Sequence, residues 1–120
     1  MTVSGGSCGR RVGPRFRFDL EVAEQAGGRP VVAGADEAGR GALAGPLVAA
    51  AVAFDYAAWR PADFRALAAL DDSKRLPRQL REELYELVLR RALLITSVAC
   101  APASIDGRGL HVCNQAALGE

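Results

Sequence analysis

Apolar positions along the chain fall into continuous runs in three places and into a helical period in a fourth. Pro30–Asp36 reads as a first strand that ends in a carboxylate, and Leu47–Phe54 (Leu-Val-Ala-Ala-Ala-Val-Ala-Phe) as a second. Leu93–Cys100 reads as a third. The clearest helix spans Pro77–Ala92, where Leu80, Leu84, Leu87 and Val88 share one face and Pro77 suits the first turn. Phe16–Gln25 predicts a short helix ended by Ala26-Gly27-Gly28. From Leu110 a helical pattern runs through Cys113, Ala117 and Leu118, with no glycine cap, proline or polar tail closing it before Glu120. Ala57–Leu70 is ambiguous because Pro61 breaks it. Met1–Gly13, rich in glycine, serine and arginine, predicts disorder. The glycine-rich turn between the first two strands is long enough to bring the chain back antiparallel.

The 120 residues suit one small domain, and a hydrophobic share of 50% is enough for a core. Net charge is only +1, so affinity for nucleic acid would have to come from a local cluster. One candidate combines Lys74, Arg75, Arg78, Arg81, Arg90 and Arg91 against Glu82, Glu83 and Glu86. It reads equally well as a phosphate-facing surface and as a solvated helix face with internal ion pairs. Cys8, Cys100 and Cys113 are odd in number and form no Cys-x-x-Cys, which points to reduced, buried thiols in a cytoplasmic protein. His111 stands near Cys113 without a four-ligand set for zinc. The N-terminal stretch has no apolar region of the secretory kind, and no apolar run is long enough to span a membrane. Trp59, Tyr85 and the phenylalanines are expected to pack.

The chemistry concentrates in Val31-Val32-Ala33-Gly34-Ala35-Asp36-Glu37-Ala38-Gly39-Arg40-Gly41-Ala42-Leu43-Ala44-Gly45-Pro46. Adjacent carboxylates at a strand end offer hard oxygen ligands to a divalent metal. The glycines let backbone approach a ligand closely, and the arginine between them can grip a phosphate. Together they suggest metal-assisted phosphodiester chemistry. Successive side chains on a strand alternate in direction, so Asp36 and Glu37 serve one site only if the strand ends or bulges there. The bland alternative is one solvated acid, one turn-capping acid and a plain tight turn. Gly39-x-Gly41-x-x-Ala44 also satisfies a loose dinucleotide-binding pattern, but Gly45-Pro46 would break the helix that such a loop must open. A third alternative is a nucleic-acid-binding module without catalysis.

Asp36-Glu37-Ala38-Gly39-Arg40-Gly41, followed by Leu43-Ala44-Gly45-Pro46 and an Ala/Val-rich run, resembles the opening of the type 2 ribonucleases H, specifically bacterial ribonuclease HII. Asp72-Ser73-Lys74 before an amphipathic helix resembles a second landmark of that family, and Ile105-Asp106, Gly109-Leu110 and Asn114 a third. The resemblance covers about Val31 to the end. It implies an α/β fold, a ribonuclease H-like mixed sheet truncated after its third strand. Residues 1–28 would be an N-terminal extension and 29–120 the N-terminal part of the catalytic domain, with two further catalytic acids beyond it. The chain by itself would then be inactive. The implied activity is endonucleolytic hydrolysis of RNA in RNA–DNA hybrids and at ribonucleotides embedded in duplex DNA, with Mn²⁺ or Mg²⁺. Asp36 and Glu37 would be catalytic metal ligands. Gly39, Arg40 and Gly41 would recognise the ribonucleotide 2′-hydroxyl and a neighbouring phosphate, and Ser73, Lys74 and Asn114 would contact substrate. Asp106 reads as the start of a turn or helix. The full-length protein is expected to be a cytoplasmic monomer with no membrane partner.

Overall fold

A computed structural model describes residues 12–41 and 44–119. The disorder expected of Met1–Gly13 therefore falls almost wholly outside the described residues, as do Cys8, Ala42 and Leu43. The elements run α1 (Pro14–Gln25), β1 (Val31–Ala38), β2 (Leu47–Asp55), α2 (Pro61–Ala66), α3 (Arg78–Arg91), β3 (Leu94–Cys100), α4 (Pro102–Arg108) and α5 (Leu110–Gly119). Short 3-10 turns occupy Tyr56–Ala58 and Ser73–Arg75. The fold is α/β, with one sheet in the order β1-β2-β3. Strands β2 and β3 are antiparallel, in register from Leu47 opposite Cys100 to Ala53 opposite Leu94. Among the described residues β1 and β3 are both sheet edges.

The chain forms two compact units, the first comprising residues up to Val32 and Asp55–Ala92, the second Ala33–Phe54 and from Leu93 on. The first unit is built around aromatic rings. Phe16 of α1 meets Tyr56, Trp59 and Phe64 edge-on at centroid distances of 5.9, 5.5 and 5.6 Å, a geometry that adds to the burial of ring area. Tyr56 donates its phenol hydrogen to Asp19 at 2.6 Å, fixing α1 to the segment after β2. Leu67 and Leu84 complete the buried set. Leu84 lies on the predicted apolar face of α3, whose other members, Leu80, Leu87 and Val88, are half-buried. On its solvent side Arg78 pairs with Glu82 one turn along at 2.8 Å.

Pro61 does not break the region before α3. It stands in the first turn of α2, where its missing N–H costs nothing, and the Asp63 carboxylate accepts from the Arg60 N–H at 2.8 Å. Asp63 is itself buried and pairs with Arg91 at 2.9 Å. Two aromatic expectations fail here, since Tyr85 and Phe18 are exposed on the outer faces of α3 and α1.

The second unit packs α5 on β3 and α4. Its buried side chains are Leu47 and Ala49 of β2 with Cys113, Asn114 and Ala117 of α5. Leu118, on the predicted helical stretch, is exposed. Helix α4 was not anticipated, and Asp106 lies inside it rather than at its start. Gly109 separates α4 from α5 at φ +87°, a backbone form that other residues take at a cost. Of the cysteines, Cys113 is buried and Cys100 half-buried, both as free thiols. Hydrogen bonding to the Cys113 thiol, then burial, pushes the Cys100 thiol pKa up. Among the described residues no helix is long and apolar enough to cross a membrane.

Candidate active site

The carboxylates of the glycine-rich stretch sit within β1 rather than beyond its end. The strand runs two residues past the predicted end at Asp36, through Glu37 to Ala38, and so ends one residue beyond the pair. Asp36 is exposed and Glu37 half-buried. Asp36 folds one oxygen back to accept the Glu37 N–H at 2.9 Å. Among the described residues no cation pairs with it. Glu37 instead meets the Arg40 guanidinium at 3.6 Å, three residues along, where the chain has turned out of the strand.

Two glycines frame that turn, and they differ physically. Gly39 has φ +94°, and a Cβ there would run into the Pro46 carbonyl oxygen at the far end of the loop. Glycine is thus needed both for backbone form and for close approach of the two loop ends. Gly41 has ordinary φ, and among the described residues nothing lies within 4 Å of the place its Cβ would occupy. The chain leaving this loop enters β2 rather than a helix. The dinucleotide-binding alternative requires a helix N-terminus there for a pyrophosphate, so the loop lacks that site.

Ser73 and Lys74 lie in the first unit, exposed on the 3-10 turn before α3. Asp72 caps this turn by accepting the Lys74 N–H at 3.0 Å, and Arg81 donates to the Ser73 carbonyl oxygen at 3.0 Å. Asn114 lies in the second unit, but only 8% exposed, and its Oδ1 is buried without a hydrogen-bond partner.

The donor chemistry suits a hard divalent cation. Asp36 is exposed and, among the described residues, unpaired with a cation, and Mg²⁺ is commonly held by one or two carboxylates together with substrate phosphates and water. Among the described residues no cluster of three or more acidic, histidine or cysteine ligands exists.

The family profile of ribonuclease HII matches residues 33–118, taking in both acids, the glycine turn, the Ser73 turn and α5. The chain belongs to the ribonuclease HII family. Ribonuclease HII of Mycobacterium bovis (strain BCG / Pasteur 1173P2) is 46% identical over 111 residues, which cover 92% of this chain and 38% of that protein. Ribonuclease HII of Mycobacterium ulcerans is 48% identical over 95 residues, covering 79% and 38% respectively. The chain thus spans little more than a third of the length of these curated relatives. The crystal structure of ribonuclease H2 from Pyrococcus horikoshii OT3 aligns with 65% of the chain and 36% of its own, at TM-score 0.54 and 32% identity. Outside every motif, Arg15 and Asp71 pair across 56 positions of sequence, a contact that sequence reasoning missed.

Proposed function

We propose that the chain carries the opening half of a ribonuclease HII active site, which hydrolyses RNA in RNA–DNA hybrids and at single ribonucleotides embedded in duplex DNA. The observation that supports this most is the adjacency of an exposed carboxylate, Asp36, to a tight glycine turn that carries Arg40, 3.6 Å from Glu37. Asp36 and Glu37 would hold Mn²⁺ or Mg²⁺. When bound, the cation supplies positive charge that activates water and stabilises the departing oxygen. The attacking water's oxygen bonds to phosphorus, and the bond to the preceding nucleotide's O3′ breaks. Protonation of that oxygen leaves a 3′-hydroxyl and a 5′-phosphate, the latter on the ribonucleotide.

The residues of the chain have separable tasks in this reading. Asp36 presents its outward oxygen, while the Glu37 N–H fixes the inward one and with it the carboxylate's orientation. Arg40, whose guanidinium lies 3.6 Å from Glu37, would take a substrate phosphate in a bidentate grip. The backbone at Gly39–Gly41 is where a 2′-hydroxyl can be sensed, the group that separates RNA from DNA. Ser73 and Lys74 contact the phosphate backbone elsewhere on the duplex. Asn114, on α5, would contact substrate through its Oδ1, which has no hydrogen-bond partner among the described residues. Residues 1–28 form an extension and 29–120 belong to the catalytic domain of a cytoplasmic, monomeric enzyme.

Asp36→Asn tests the reading, made in a chain as long as the relatives. The substitution keeps shape and removes charge. Expected is a loss of cleavage of about a hundredfold or more with Mn²⁺ or Mg²⁺, while duplex binding persists. Near-normal cleavage by a folded Asp36→Asn protein at low metal concentration would exclude the ligand role.

A further inference from the structure

Helix α1 precedes the region that the family profile matches, yet it reaches the turn that carries Ser73 and Lys74. Arg15, in its first turn, contacts two groups at once. One guanidinium nitrogen lies 2.6 Å from Asp71 Oδ1, and the other donates to the Leu70 carbonyl oxygen. Asp71 Oδ1 in turn accepts the Asp72 N–H at 2.6 Å. The next link is Asp72 Oδ1, which accepts the Lys74 N–H, and the Asp72 carbonyl oxygen accepts the Arg75 N–H at 2.8 Å. A continuous run of hydrogen bonds therefore leads from α1 to the backbone of Lys74. Its near end is stiff, because Phe16 beside Arg15 is buried among aromatic rings and Asp19 holds Tyr56.

We propose that Arg15 is a positioning residue for the phosphate-contacting turn, holding Asp71 and through it the Asp72–Ser73–Lys74 backbone in the form that presents Lys74 to the phosphate backbone of a hybrid duplex. The proposal rests on the assignment of Lys74 to substrate made above. Its physical content is geometric rather than electrostatic. A planar guanidinium can bridge a carboxylate and a carbonyl simultaneously, whereas an ammonium is a point charge without that fork. Asp71 is an acid beside a surface meant for phosphates, where its charge alone opposes binding. Its presence there is explained by the structure it maintains. Hydrogen bonding from the Arg15 guanidinium also lowers the Asp71 carboxyl pKa below its usual value.

Charge and geometry make opposite forecasts, which gives the experiment its force. Arg15→Lys preserves charge, and Asp71→Ala makes the chain more positive. Amide hydrogen exchange at Lys74 and Arg75 and binding of a fluorescent RNA–DNA hybrid are measured for the full chain and both variants, with Lys74→Ala alongside. A held turn predicts exchange about tenfold faster at these amides in both variants, with the thermal midpoint nearly unchanged. It also predicts hybrid affinity lower by about threefold to tenfold, the worth of an ordinary hydrogen bond or two. Unchanged exchange in both variants, or tighter binding by Asp71→Ala, overturns the proposal. The Lys74→Ala arm decides the underlying assignment separately. If that variant binds as wild type, the phosphate contact is wrong, while the exchange rates still decide whether Arg15 holds the turn.

Discussion

Replacing Gly39 and Gly41 separately by alanine asks whether the glycine turn is shaped by its own backbone or kept open for a ligand. At Gly39 two costs add. The φ of +94° lies in the left-handed region, where a side chain costs about 1–3 kcal/mol. The new methyl also meets the Pro46 carbonyl oxygen, a backbone atom that cannot rotate away, so the loop ends must separate. Overpacking of this kind costs about 1–3 kcal/mol more. Gly39→Ala should therefore destabilise by roughly 2–5 kcal/mol, a fall in thermal midpoint on the order of 10–20 °C for a chain of this size. Gly41→Ala meets open space at an ordinary φ, and should stay within about 1 kcal/mol of wild type or gain slightly from a stiffer unfolded chain. Circular dichroism at 222 nm during heating and urea unfolding measures both. Equal midpoints for Gly39→Ala and wild type would refute the reasoning, as would an equally large loss in Gly41→Ala. If Gly41→Ala folds normally and still loses selectivity for a ribonucleotide, its openness serves the ligand.

Arg40→Ala should cut cleavage at an embedded ribonucleotide by about tenfold or more, measured on a duplex with a single ribonucleotide, since a charged bidentate contact is lost. Its stability should hardly change, because the Glu37 pair is partly exposed and long. An unchanged rate would return the turn to a purely structural role. Tyr56→Phe removes the hydrogen bond to Asp19 and should cost about 1–2 kcal/mol by urea titration. Burial, followed by the Asp19 hydrogen bond and charge, holds the Tyr56 phenol pKa well above its usual value. The folded chain thus keeps a proton that the unfolded chain gives up near pH 10. This contribution to stability is complete below that pH and shrinks as pH rises above it, so Tyr56→Phe should flatten the alkaline limb of a stability profile. Leu84→Ala, at a site only 3% exposed, should destabilise by about 2–5 kcal/mol, and a loss under 1 kcal/mol would contradict its place in the core.

Elements whose packing follows their own period were legible from sequence. Helix α3 has an apolar face because Leu80, Leu84, Leu87 and Val88 recur at helical spacing, and the three strands stand out as apolar runs between glycines, prolines and charges. Signals with two physical meanings misled. Pro61 forbids a helix interior and favours a first turn, and only the surrounding hydrogen bonds select between them. Helix α4, with glycine in its short sequence and no apolar stripe, is held by α5 rather than by propensity. The acids and the glycine turn were visible because their chemistry is written in adjacent residues. Their placement inside β1 was not, since pairing with β2 extends the strand past the point where composition changes. Arg15 was invisible for another reason. A contact between positions 15 and 71 leaves no periodic trace, and Asp71-Asp72 reads alone as an ordinary polar turn.

The start of β3 bears on how the protein behaves as a solute. Leu93, just before β3, and Leu94, its first residue, are 60% and 63% exposed and Ile95 is 39% exposed, at the start of a strand that is a sheet edge among the described residues. Unpaired amides and carbonyls alongside three consecutive large apolar side chains make a template for any extended chain, including another molecule of the same kind. Dilute and concentrated preparations should therefore age differently, with turbidity rising steeply with concentration and preceding any loss of helix signal. A lysine at position 94 places a charge on that edge, a gatekeeper of the sort natural edge strands carry, and it should lengthen shelf life without touching either acid of β1.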